Sequence, residues 1–394
     1  MDSNDNLPSE AVPSAVAVLR CEDYDPERVE ECLFRGVTLL GGVQQFVRPG
    51  ERMLLKPNLL SGKIPDKAVT THPAVFQAAA KQFLYGGARL AYGDSPGFGR
   101  ISTVVRRSGL HEVAESMGIE LADFQHGRIV SFPEGALCKQ FTIAEGALDA
   151  DGIISLSKMK THALTRITGA VKNQFGCIPG MLKGEFHGRL SKIETFAKML
   201  VDLTRLLSPR LYIMDGIVSM EGNGPGNGTP RKTGVLLLST DPVALDAAFC
   251  RLVNLDPELV PTIVAGAEAG LGDYRSIRFL GDPVETCLCP DFKVKREKEI
   301  TEDSVNRFLV PLMRRHIIPR PVIRDERCTH CGTCVAMCPV SPKAVDFLRP
   351  DRSLPPKHNY GLCIRCYCCQ EVCPDNAIEV ETPWLGRLIH KRTL

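Results

Sequence analysis

The chain has 394 residues, of which 44% are hydrophobic, and a formal net charge of +2. This near-neutral balance argues against a surface made for non-specific nucleic-acid binding, and no apolar run approaches the roughly 20 residues of a transmembrane helix. The length predicts two or three domains, and a polar, acidic start from Met1 to Pro13 without a basic segment predicts a cytoplasmic protein.

Val29 to Phe46 reads as a helix, and Arg52 to Lys56 as a short apolar strand ending in Lys56-Pro57-Asn58. His72-Pro73 opens a helix that Gly86-Gly87 stops, and Ala88 to Tyr92 is a strand running into Gly93-Asp94-Ser95. Thr103 to Met117 reads as a helix and Gly152 to Leu156 as a buried strand. Ile193, Phe196, Leu200, Leu203 and Leu207 mark one helix face by their three- and four-residue steps. Leu211 to Met214 is a strand ending at Asp215-Gly216, and Gly234 to Leu238 leads through Asp241-Pro242 into a helix. The alternation predicts an α/β fold, a largely open sheet flanked by helices, with polar residues at the strand ends where such sheets bind ligands. The expected boundaries are a flexible 1–14, an α/β domain over 15–315, a small α+β domain over 316–380, and a tail over 381–394. Arg314-Arg315 reads as a solvated helix end, and the tail as packed on the body.

The densest polar constellation is Ser157-Lys158-Met159-Lys160-Thr161-His162, followed by Lys172-Asn173 and then Lys183 and His187. Cations, an amide and imidazoles directly after a buried strand can hold a carboxylate or phosphate and supply a proton; a solvated loop with its lysines in water is the plainer alternative. His162, Lys160 and Lys172 are the candidate catalytic residues. Lys56, Asn58, Lys158 and Asn173 are candidates for substrate binding, with Gly222, Gly224 and Gly226 of the glycine-rich run after Glu221 closing the site or forming only a flexible turn. Asp94, Asp215, Glu221 and Asp241 can gather on a metal, although caps and turns are the commoner use of such residues.

Near the C-terminus, Cys328, Cys331, Cys334 and Cys338 precede Pro339, and Cys363, Cys366, Cys369 and Cys373 precede Pro374. Each run reads C-x2-C-x2-C-x3-C-P, the spacing that binds two [4Fe-4S] clusters with the fourth cysteine of each run serving the other cluster. The predicted sets are Cys328, Cys331, Cys334 and Cys373 for one cluster, and Cys363, Cys366, Cys369 and Cys338 for the other. Disulfides would need an oxidising compartment, and zinc would want two CxxC pairs. Cys368 adds an extra thiol to the second run and leaves open which neighbour ligates iron.

Leu54-Leu55-Lys56-Pro57-Asn58, Thr71-His72-Pro73, Gly93-Asp94-Ser95, Lys158-Met159-Lys160-Thr161-His162, Lys172-Asn173-Gln174-Phe175-Gly176, Asp215-Gly216-Ile217 and Ser239-Thr240-Asp241-Pro242 together resemble the family called domain of unknown function 362. The resemblance covers roughly residues 15 to 285. It implies the fold boundary and a frequent ferredoxin-like companion domain, but no reaction.

The first functional reading is an iron-sulfur oxidoreductase that moves electrons between the ferredoxin domain and a small anionic substrate or cofactor in the α/β domain, with a redox partner protein. The rival is a non-catalytic electron-transfer or assembly partner of another redox enzyme, and a third makes the clusters structural. An additional metal or a flavin is left open.

Overall fold

The computed structural model describes residues 13–180, 182–298 and 316–390. The expectations for the N-terminal arm, for Arg314-Arg315 and for the last residues of the tail lie outside these, apart from residues 13 and 14.

Runs such as Met53–Leu55, Ile153–Leu156 and Leu211–Met214 are apolar without alternation because both faces of their strands are covered. The strands of the first unit are β1 (Ser14–Arg20), β2 (Arg52–Pro57), β3 (Arg89–Tyr92), β4 (Glu120–Leu121), the separate hairpin β5 (Gly127–Ser131) and β6 (Gln140–Ala144), β7 (Gly152–His162), β8 (Arg166–Thr168), β9 (Leu211–Glu221), β10 (Thr229–Ser239) and β11 (Ile277–Gly281). All but the hairpin form one nine-stranded mixed sheet in the order β11-β1-β10-β9-β7-β2-β3-β4, with β8 paired to β7. From β9 to β4 neighbours run parallel; β10 is antiparallel to β9 and to β1.

Leu55, Ile154, Ile213 and Leu236 pack under the helices Pro26–Leu39 and Pro73–Tyr85. Leu54 and Ile153 face the helix Ile193–Leu207, while Met214 and Leu237 face the helix Pro242–Leu252. The parallel strands therefore all deliver their C-terminal ends to one edge, and the polar motifs at Lys56, Asp94, Lys158 and Asp215 meet there.

Several boundaries differ from the sequence reading. The helix expected to Phe46 ends at Leu39, because Gly41 and Gly42 take φ of 103° and 88° and a short 3-10 turn follows. The helix expected over Thr103–Met117 is two, Ile101–Arg107 and Leu110–Ser116, parted by Gly109 at φ 75°. β7 and β9 run on to His162 and Glu221, with a register shift between Lys158 and Lys160. The lysine cluster thus lies on a buried strand, not on a solvated loop.

In the second unit β12 (Arg320–Ile323) pairs with β15 (Ile378–Glu381), and β13 (Val345–Asp346) with β14 (Lys357–His358). Its two cysteine runs repeat one backbone shape. His330 and Arg365, each two residues after the first cysteine, have φ of 57° and 58°, and Gly332 and Tyr367, four residues after it, have φ of 75° and 62°. A four-residue helix follows each, Thr333–Ala336 and Cys368–Glu371. Left-handed residues at these points fold the chain tightly enough to aim successive thiols inward, and the Tyr367 hydroxyl donates to Pro319 O at 3.1 Å, helping to hold that strained position. The segment between the runs carries β13 and β14, with Leu348 and Leu354 exposed. The tail forms a helix, Trp384–His390, in which a Cβ on Gly386 would meet Ile317 O.

Candidate functional site

At the C-terminal edge of the sheet five lysines and three carboxylates lie together, with Lys56, Lys158, Lys160, Asp94 and Asp215 buried and Lys172, Lys183 and Glu371 half-buried. The Lys56 ammonium donates to Asp94 Oδ1 at 2.9 Å and to Pro57 O, and Asp94 Oδ2 accepts from Leu59 N at 2.7 Å. Gly176 is required beside this pair, since a Cβ there would stand 1.7 Å from Asp94 Oδ1. Lys158 donates to Asp215 Oδ2 at 2.7 Å and to the Tyr24 hydroxyl at 2.8 Å, and Tyr24 and His72 N both donate to the same carboxylate. Both ion pairs are essentially free of solvent, so each stands only because its partner and hydrogen bonds are present.

The remaining amines have no carboxylate within ion-pair distance among the described residues. Lys160 Nζ donates to Asn58 Oδ1 and Val69 O, and Lys183 Nζ to Ser95 and Ile178 O. Lys172 Nζ makes no hydrogen bond among the described residues and lies 5.9 Å from the Phe175 ring centre. Burial, reinforced by Lys172 and Lys158, pushes the Lys160 amine well below its usual range. Burial also lowers Lys172, and brings Lys183 to about 8.

The second unit closes this edge. Glu371 Oε1 comes to 3.0 Å from His162 Nε2, although the two are not aligned for a hydrogen bond. His162 Nδ1 accepts from the backbone N–H groups of Leu164 and Thr165, so the ring proton belongs on Nε2, facing the carboxylate. Burial holds His162 at about 4, hence neutral at physiological pH, while Glu371 is lowered to about 2, its desolvation outweighed by the His162 N–H that faces it and by the Lys172 charge. His187, stacked on Phe196 at 4.4 Å, is likewise held at about 4 by burial, and its Nδ1 has no partner among the described residues.

A cavity of about 90 Å³ lies between the units. Asn58, Asp94, Ser95, Lys172, Asn173, Lys183 and His187 line it from the sheet side, and Met337, Cys368, Glu371 and Val372 from the cysteine-bearing side. The candidates from the sequence divide accordingly. Lys172, Asn173 and Asn58 reach the cavity; Lys56, Lys158 and Lys160 form the charged layer behind it; His162 touches Glu371. Glu371 and Ser95 went unassigned, although a carboxylate inside the C-x3-C step, between cysteines predicted for different clusters, is a usable signal for the former.

Gly222, Gly224 and Gly226 do not close the cavity; their loop grips the second unit. Gln370 Nε2 donates to Asn223 Oδ1 at 2.9 Å and to Gly224 O at 3.2 Å, Asn227 Nδ2 donates to Gln370 O and Cys373 O, and a Cβ on Gly226 would stand 2.9 Å from Glu371 O. Nor do the four acidic residues meet: Asp94 and Asp215 pair with lysines, Asp241 caps the helix at Pro242, and Glu221 accepts from Lys293 N. Cys177 is buried, and burial raises its thiol to about 12, which suits packing and not nucleophilic attack.

All sixteen cysteines are free thiols. Cys328, Cys331, Cys334 and Cys373 surround one small cavity floored by Ile323 and Ile378. Cys369 has Cys366, Cys363, Cys334 and Cys338 as electrostatic neighbours, and Cys363 has Cys366 and Cys338. The last cysteine of each run therefore lies with the first three of the other. Backbone N–H groups of Ala344 and Ala377 point at Cys338 and Cys373 Sγ at 3.4 and 3.3 Å, as iron-bound sulfur accepts them. Burial raises Cys334 to about 12 and holds Cys369 well above its usual range, so these thiols become thiolates only with a metal to hold, and the donor set fits an iron-sulfur cluster. The Cys368 thiol hydrogen-bonds to Cys366, lowering Cys366 and raising Cys368.

The second unit matches the model of the 4Fe-4S dicluster domain over residues 320–375. A thylakoid-associated protein of Synechocystis sp. is 37% identical over 258 residues, covering 65% of this chain and 80% of that protein. Among solved structures, the lactate racemase apoprotein from Thermoanaerobacterium thermosaccharolyticum aligns at a TM-score of 0.40 and 10% identity, over 63% of this chain and 58% of that one. A Thermotoga maritima protein aligns at 0.31 and 12%, over 67% and 63%. The chain thus spans less than two thirds of either structure. Residues 53–251 match the model of domain of unknown function 362, and the chain belongs to that family, with an iron-sulfur domain of the 4Fe-4S type joined to it.

Proposed function

We propose that the protein is an oxidoreductase in which two [4Fe-4S] clusters, held by Cys328, Cys331, Cys334 and Cys373 and by Cys363, Cys366, Cys369 and Cys338, exchange electrons with a small anionic substrate in the cavity between the units. The carrying observation is that cavity itself, lined from one side by cationic side chains and from the other by Cys368 and Glu371, which belong to the same short helix as Cys369. A carrier that only passes electrons to another protein has no need of a buried, charged cavity behind its cysteines. The bound clusters supply one-electron transfers.

The chain's own residues supply binding and protons. Lys172 and Asn173 present an amine and an amide to an anion, and Lys183, with its amine near 8, is matched to give or take a proton around neutral pH. His162, neutral and oriented by two backbone donors, positions Glu371 and does not act as the acid. The division into an α/β unit over 15–315 and a ferredoxin-like unit over 316–380 is part of the same reading. No helix among the described residues is long and apolar enough to cross a membrane, and a reducing cytoplasm with a redox partner protein to load the clusters suits sixteen free thiols.

The test is anaerobic. The full chain, with clusters loaded and reduced by dithionite, is mixed with a panel of small carboxylate and phosphoryl acceptors while cluster absorbance is followed. An acceptor that reoxidises the wild type, and does so far more slowly in Lys172→Ala at equal iron content, supports the proposal. Reoxidation that no acceptor accelerates, or that Lys172→Ala leaves unchanged, overturns it.

A further inference from the structure

The charges around the cavity do not balance. Lys56, Lys158, Lys160, Lys172 and Lys183 face Asp94, Asp215 and Glu371, so five amines meet three carboxylates and two amines are left without a counter-charge. Two of the carboxylates are spent on Lys56 and Lys158, and Glu371 serves His162 and Lys172 together. Lys160 and Lys183 have only neutral oxygens as hydrogen-bond partners, and Lys172 has none among the described residues. Burying an ammonium without a counter-charge is costly, which is why these amines give up their protons readily, and a site that keeps them is suited to a ligand that brings the missing negative charge.

Size narrows the choice. At about 10–15 Å³ per enclosed water, a cavity of about 90 Å³ holds about six to nine water-sized atoms. A flavin or a nucleotide exceeds that several-fold. His187, whose buried Nδ1 has no partner among the described residues, and Lys172 both line the cavity.

Resting on the site proposed above, we infer that the cavity takes a doubly charged oxyanion of about six to nine non-hydrogen atoms, a small dicarboxylate or phosphoryl compound, whose two charges answer the Lys172 and Lys183 amines that line it. Binding then draws protons onto the cavity amines. The groups facing them are Glu371, Cys368, His162, His187, Asp94, Lys56, Lys158 and Cys177, of which the carboxylates Glu371 and Asp94 are already counted above. Lys183, at about 8 in the free protein, is the amine whose proton uptake is easiest to observe.

The experiment is titration calorimetry of the full cluster-loaded chain just above pH 8, in two buffers of different ionisation heat, with malonate, succinate, inorganic phosphate, methyl phosphate and acetate as probes. A dianion should bind at least about tenfold more tightly than acetate and take up protons, and Lys172→Gln should weaken it by about 10- to 100-fold, the usual effect of losing a charge-assisted hydrogen bond. Preference among the four dianions separates a dicarboxylate site from a phosphoryl one. Equal binding of acetate, binding without proton uptake, or no binding of any probe overturns the inference. A dianion that binds and yet leaves reduced clusters unoxidised sinks the redox reading and spares this one; an acceptor that oxidises the clusters but binds no better than acetate does the reverse.

Discussion

His162 and Glu371 stand 3.0 Å apart across the junction of the two units, a neutral imidazole against a carboxylate held at about 2. The ring comes from the end of β7 and the carboxylate from the helix that also carries Cys369, so the contact joins the sheet's polar edge to the cysteine cage within one turn of helix.

The second cluster is expected to survive loss of Cys368. Its thiol hydrogen-bonds to Cys366 but belongs to the cavity wall. Cys368→Ser should keep about eight iron atoms per chain, and Cys366→Ser should lose about half of them. Iron and sulfide content, with paramagnetic resonance of the reduced protein, reads the difference; equal loss in both variants would make Cys368 a ligand.

Asp215 holds Lys158, Tyr24 and the His72 N–H at once. Asp215→Ala should cost about 3–5 kcal/mol, because it strands a buried ammonium. The double change Lys158→Met with Asp215→Leu should recover much of that, since it removes both charges. Thermal melts of the three proteins decide; a double variant no more stable than Asp215→Ala would count against the pair as the cause.

Acid should weaken the protein before its carboxylates titrate. His72, His162 and His187 are each held at about 4, below their ordinary 6.5, by burial. A depressed histidine is neutral in the fold and takes up its proton more readily when unfolded, so its contribution is complete above pH 6.5 and is lost as pH falls toward 4. Each is worth roughly 3 kcal/mol at most. Glu371, depressed to about 2 from 4.5, loses its share only in the lower window from 4.5 to 2. His187→Phe keeps the stack on Phe196 and should flatten the fall in urea midpoint between pH 6.5 and 4 by about one proton's slope.

Docking of the two units rests on Gln370. Its amide satisfies Asn223 and Gly224, so Gln370→Ala should leave buried carbonyls unpaired at a cost of about 1–3 kcal/mol. Hydrogen exchange should quicken in the loop 222–228 while iron content holds; an unchanged exchange pattern would show that the junction is held elsewhere.

The cysteine cage was legible because cluster binding depends on local spacing, and C-x2-C-x2-C-x3-C dictates which thiols share a turn. The lysine cluster was legible as chemistry but not as structure. Lys158, Lys160 and His162 look like loop residues since strands rarely carry them, and only the helices and the second unit stacked on β7 make them buried. Gly222 to Gly228 looks like a ligand loop, yet its backbone is exposed to Gln370, a long-range partner that spacing does not reveal. Asp94 pairs with Lys56, 38 positions away, and Glu371 meets His162 from 209 positions away, contacts that only topology creates.

The helix Cys368–Glu371 is a single turn, too short to hold its shape alone. With Cys369 fixed in the cage, Glu371 is fixed in the cavity; without iron, only the grip of the 222–228 loop on Gln370 and the contact with His162 keep the carboxylate there. Iron supply would therefore govern more than electron flow: a starved cell would hold chains whose sheet is folded but whose cavity has one wall less firmly set, a protein fully assembled only when it can be charged.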